Sequence, residues 1–254
     1  MTSLSHSLDR TVLICAPRDL VFRYFTDRER FARWWGPGST IDGEVGGEVK
    51  IVYPNQVIAR GVVTAIQPEQ SITFTYGYED PSKRIPPGGS VVTASLQDHP
   101  DGTLLQLRHQ LPTEVDRDQH VPGWRFQLAR FANSVANEQH ASTAAVMDQW
   151  FLAWNEADAT ARDRLLLACT TDDVRLADAH SCLAGRPELS QHIGMCHQFM
   201  PGVVMKRQGE PRHCQGTALV EWTAHDAAGN PRGKGTNVVS LAADGRIAGV
   251  VGFW

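Results

Sequence analysis

Hydrophobic and polar positions alternate with period two over a series of short segments, and in two places the period lengthens to that of a helix. Residues 8–16, LDRTVLICA, have the make-up of a strand. Pro17 opens PRDLVFRYFTDRERFARWWG, where Leu20, Val21, Tyr24 and Phe25 follow helical spacing until Gly36, Pro37 and Gly38 end it. From there to Pro112 the pattern predicts strands at 47–53, 59–68, 70–79, 90–98 and 103–111, the last two joined by a hairpin at HPDGT. Between Gly123 and Gly185 there is no Gly or Pro. In that span Trp124, Leu128, Phe131 and Val135 mark one helical face, and Val146, Trp150 and Trp154 mark another.

The two faces are separated by the polar SVANEQHAST, with Ser142 and Thr143 as N-cap candidates, and the domain boundary is placed there, dividing 1–139 from 140–254. The second half then predicts helices at 143–157, 161–170 and 187–199, a short strand near VRLAD, and four strands from Val203 onward. In the last of them, Ile247, Gly249, Val251 and Phe253 take one face, and Ala248, Val250, Gly252 and Trp254 the other. Both halves are therefore expected to be α+β with an antiparallel sheet, and they are not repeats of one another.

A chain of 254 residues is long enough for two such domains. Its 24 Lys and Arg against 28 Asp and Glu, without a dense basic block, argue against nucleic acid or an anionic membrane as the partner. No apolar run reaches the ~18 residues of a membrane span. MTSLSHSLDR lacks the features of a signal peptide, and five irregularly spaced cysteines suit a reduced, cytoplasmic protein.

Candidate chemistry concentrates in the second half. Asn237 shares a strand face with Val239 and Leu241, Asp178 follows an apolar pair, and Trp150 sits on the inward face of its helix. Asp178 has an alternative role as a turn cap, Asn237 as a structural amide, and Trp150 as core. His180, two residues beyond Asp178, is the candidate second acid or base. Trp154 and Trp254 are candidate ligand contacts. His192 and Cys196 lie one helical turn apart, but no metal is expected. In the first half Trp34, Trp35, Tyr76 and Trp124 offer aromatic area for a ligand, alongside Tyr53 and Tyr78, and either Arg108 or His109 should face inward.

RYFTDRERFARWWGPG, VGGEVKI, GVVTAIQPEQSITFTY, GTLLQLRHQL and PGWRFQLARFANSV resemble the heat-shock-protein-90 ATPase activator-like branch of the START-related superfamily over residues 8–138. That resemblance implies a helix-grip fold, a curved sheet holding a long C-terminal helix over an apolar cavity. No additional chaperone-binding module is visible, so a chaperone partner is not expected. MDQWFLAWNEAD, DDVRLAD, GRPELSQHI, VEW and ADGRIAGVVGFW resemble the SnoaL-like and ketosteroid-isomerase-like cone fold, related to nuclear transport factor two, over 143–254.

Against the isomerase pattern, Asp178 falls at the general-base aspartate, Asn237 at a protonated aspartic acid and Trp150 at the oxyanion tyrosine. The last two depart from the pattern, which puts steroid isomerisation itself in doubt. The expectation is a homodimer that binds a small hydrophobic carbonyl-bearing molecule without a cofactor. It would isomerise, cyclise or hydrate that molecule, or else only bind or sense it.

Overall fold

The computed structural model describes residues 4–254. The chain forms two compact α+β units, one ending at Ala136 and the other running Asn137–Trp254. The first contains β1 (His6–Ile14), α1 (Arg18–Arg23), α2 (Arg28–Trp35), β2 (Thr40–Ile41), β3 (Glu48–Val52), β4 (Ile58–Gln67), β5 (Ser71–Tyr78), β6 (Ser90–His99) and β7 (Gly102–Leu111). The long helix α3 (Glu114–Gln139) follows. The sheet is antiparallel in the order β1-β7-β6-β5-β4-β3-β2.

The single helix expected after Pro17 is two. The Asp27 carboxylate accepts from the Arg30 N–H at 2.8 Å and caps a new helix, so local side-chain bonding overrides the continuous apolar spacing. In the other direction, α3 begins nine residues before Gly123 and runs through Pro122. Thr113 caps its start by exchanging hydrogen bonds with Asp116. Burial of Trp124, Leu128, Phe131 and Val135 supplies the stability that Pro122 removes. Phe131 meets Phe25 and Trp34 at ring separations of 4.7 and 4.9 Å in the aromatic centre of this core.

The second unit contains α4 (Thr143–Asn155), α5 (Ala159–Cys169), β8 (Thr170–Ala177), β9 (Cys182–Ala184), α6 (Arg186–Phe199), β10 (Val204–Cys214), β11 (Thr217–His225), β12 (Pro231–Leu241) and β13 (Ile247–Phe253). Its sheet runs β10-β11-β12-β13-β8-β9. It is mixed rather than purely antiparallel, because β13 pairs with β8 in parallel. Ser142 precedes α4 but its hydroxyl makes no capping bond, while the Thr143 hydroxyl donates back to the His140 carbonyl at 2.6 Å.

Asn237, Val239 and Leu241 are all buried, as strict alternation requires. In β13 the alternation breaks. A register irregularity between Ile247 and Gly249 lets Ile247 join Val250 in the core, and leaves Val251 and Phe253 exposed on the outer face.

Candidate functional site

Sheet and helices of the second unit enclose a cavity of about 300 Å³. Trp150 and Trp154 from α4, Leu176 from β8, and Met205, Trp222 and Val250 from the sheet form its apolar wall. Asp178, His180, Asn237, His192, Cys196 and Arg232 add polar groups, and Trp254 stands at the end of β13. The six candidate catalytic and ligand-contact residues of this half line this one space: Trp150, Trp154, Asp178, His180, Asn237 and Trp254.

Asp178 and His180 do not share a continuing strand, because β8 ends at Ala177. They sit instead in a tight turn. The Asp178 N–H donates to the Ser181 carbonyl at 2.9 Å, and its Oδ1 accepts from the His180 N–H at 2.8 Å. The turn therefore uses one carboxylate oxygen and leaves Oδ2 unengaged by the described residues. The His180 ring lies 5.2 Å from that of Trp254.

Asn237 is oriented by a residue that alternation alone does not single out. The Trp222 indole N–H, which can only donate, lies 3.2 Å from Asn237 Oδ1. The amide oxygen is thereby committed, and its NH2 is the end left to donate to a ligand. Trp222 reaches that position because its register partner is Gly235, where a Cβ would stand 2.6 Å from the indole ring.

Gly252, the register partner of Asn237, has a similar effect. A Cβ there would lie 3.4 Å from Asn237 Oδ1, 3.5 Å from Asp178 Cβ and 3.7 Å from Trp254 Cδ1. The missing side chain thus leaves open the space between the carboxylate, the amide and the terminal indole. The signal in the sequence was glycine within an apolar strand, a mark of close approach.

Cys196 Sγ lies 3.6 Å from His192 Nε2 on the cavity wall. Burial, reinforced by the Asp178 charge, pushes the thiol pKa up, so Cys196 stays protonated at neutral pH. Trp154 Nε1 is buried with no hydrogen-bond partner among the described residues.

In the first unit Trp35, Tyr76 and Trp124 line a cavity of about 240 Å³. Trp34 and His109 do not. Trp34 is fully buried in the aromatic core and donates to the Tyr24 carbonyl. His109, rather than Arg108, faces inward. Its Nδ1 accepts from the Trp124 indole at 2.9 Å, which leaves Nε2 to donate to Ser90 Oγ at 2.8 Å. That is the arrangement of a satisfied core histidine, and burial lowers its pKa to about 3. His120, unnoticed in the sequence, lines the cavity one helical turn before Trp124.

No curated protein matches the chain. Among solved structures it is similar to a SnoaL-like family protein from Agrobacterium tumefaciens strain C58, at 28% identity and TM-score 0.42 over 46% of this chain and 97% of that one. It is also similar to CalU16 from Micromonospora echinospora, at 26% identity and TM-score 0.43 over 52% and 77% of the two chains. A third similarity is to Aha1 from Colwellia psychrerythraea, at 16% identity and TM-score 0.40 over 48% and 91%. Residues 15–136, nearly the whole first unit, match the family model of activator of Hsp90 ATPase homolog 1-like proteins.

Proposed function

We propose that the second unit, which we read as a SnoaL-like cone fold from its order of two helices, two strands, a third helix and four further strands, binds a small apolar carbonyl compound in its cavity. Asp178 removes a proton from the carbon beside the carbonyl. The Asn237 amide and the Trp150 indole donate to the oxygen as it gains charge, and His180 returns a proton. Isomerisation, or a cyclisation begun by the same deprotonation, follows without a cofactor. The observation that carries this reading is the convergence of Asp178, Trp254 and the buried Asn237 amide, whose oxygen Trp222 holds, around the open space at Gly252.

The test uses 2-acetonaphthone in D2O, with loss of its methyl proton signal followed by NMR. Wild-type protein should accelerate the exchange. Asp178→Asn should abolish that acceleration while leaving affinity for the ketone within a few-fold. A non-catalytic binding role is favoured by the turn-capping use of Asp178 Oδ1. It predicts binding of the ketone with no accelerated exchange in either protein.

We also infer that two copies pair through the outer face of this sheet, where Val251 and Phe253 are exposed. A monomeric mass by light scattering at micromolar concentration would overturn this. Five irregularly spaced cysteines, with no disulfide among the described residues, support a reducing, cytoplasmic setting.

A further inference from the structure

The first unit holds a second cleft with a different chemistry. Its chambers, of about 240 and 290 Å³, share Tyr53, Tyr78, Gln119 and His120. One chamber is aromatic. Trp35 and Trp124 meet edge to face at 5.6 Å, and Tyr76 bonds Tyr53 through their hydroxyls at 2.6 Å. The other is polar, lined by Lys83, Arg84 and Asp116.

Helix α3 carries no side chain at one position facing this cleft. Gly123 lines the aromatic chamber, and a Cβ placed on it would meet no atom within 4 Å. Glycine within a helix is less stable than alanine, and here no packing constraint calls for its small size. The space it leaves belongs to the cleft and not to the core.

Hydrogen bonding sets the polarity of the shared wall. His120 Nδ1 faces the Asp116 carbonyl at 2.7 Å and must carry the proton, so Nε2 accepts the Tyr78 hydroxyl at 3.2 Å. Burial keeps this imidazole neutral. The charges that remain are unequal. Asp116, almost fully buried, is held by Arg84 at 3.0 Å, whereas Lys83 and Arg130 line the cleft in excess of it, Lys83 with only the Asp80 carboxylate, outside the cleft wall, acting on its charge. The guanidinium of Arg130 lies over the Phe126 ring, 5.8 Å from its centroid. The indole N–H of Trp35, on the aromatic wall, is buried with no acceptor among the described residues.

We propose that this cleft is a binding site for a planar aromatic carboxylate, its ring against Trp35, Tyr76 and Trp124 beside Gly123, and its anionic group turned towards Lys83. An aromatic body matches the wall, and a single negative charge answers the cationic surplus that a neutral or cationic ligand would leave unpaired.

The experiment is calorimetric titration of the full chain with 2-naphthoate. Wild-type protein should bind it at a single site. Gly123→Leu should fill the aromatic chamber and abolish that binding, while melting at or above the wild-type temperature because the helix has lost a glycine. Lys83→Gln should weaken binding about two- to fivefold, the scale of a partly exposed charge contact. The proposal is overturned by absence of binding at millimolar 2-naphthoate. It is equally overturned by unchanged affinity in folded Gly123→Leu, or by unchanged affinity in Lys83→Gln.

Discussion

At the residue scale, glycines shape the candidate site of the second unit as much as its polar groups do, and they do so in two ways. Gly235 is required by packing: an added Cβ would sit 2.6 Å from both the Trp222 ring and the Phe253 carbonyl oxygen, and the backbone atom cannot rotate away. Gly252 leaves room that a methyl group can enter at ordinary contact distance. Gly235→Ala should therefore lower unfolding free energy by about 1–3 kcal/mol in urea denaturation and change the Trp222 environment seen in fluorescence. Gly252→Ala should fold normally and lose affinity for 2-acetonaphthone. Equal stability losses in the two variants would mean that the spacing around Trp222 has been misassigned. Asp178 and Asn237 stood out in the sequence because each interrupts an apolar pattern. Trp222, which orients Asn237, did not, because a tryptophan on a strand usually signals nothing beyond core.

Elements behave similarly. The strands and helices with strong periodicity form where the pattern predicts them, and the departures have one local and one tertiary cause: the Asp27 cap divides one helix, and burial of its apolar face carries α3 through Pro122. The cavity depends on how α4 is fastened to β10. The Asn155 side chain donates to the Met205 carbonyl and accepts from the Met205 N–H, each at 2.8 Å, and Met205 is part of the cavity wall. Asn155→Ala leaves two partly buried backbone groups without partners. It should cost about 1–3 kcal/mol in chemical denaturation and raise hydrogen exchange in β10. If exchange in β10 does not change, this bond is not what secures the strand.

At the scale of the whole molecule, buried histidines of the first unit should make it sensitive to acid. His109 is buried and neutral, its pKa lowered by burial and by neighbouring His120 from 6.5 to about 3, and His120 is lowered in the same direction. Below pH 6.5 the unfolded chain takes up protons that the folded unit refuses. This contribution is complete above that pH and is lost as pH falls towards 3. Melting of the first unit should fall progressively from pH 7 to pH 4, and His109→Gln, though less stable at pH 7, should show a shallower slope. An unaltered slope would remove His109 as the cause. Among the described residues no helix is long and apolar enough to cross a membrane.

Local chemistry was enough to make the two α+β halves, most strands, the polar interruptions at Asp178 and Asn237 and the inward face bearing Trp150 legible, because periodicity and turn-forming residues act over a few neighbouring positions. The orientation of Asn237, the satisfied state of His109 and the opening beside Gly123 were not legible. Each depends on contacts between segments far apart in the chain, such as Trp222 with Asn237 or Trp124 with His109. Alternation places a side chain on a face. Which atom it finds there, and whether a space is left beside it, is settled only when the strands and helices pack.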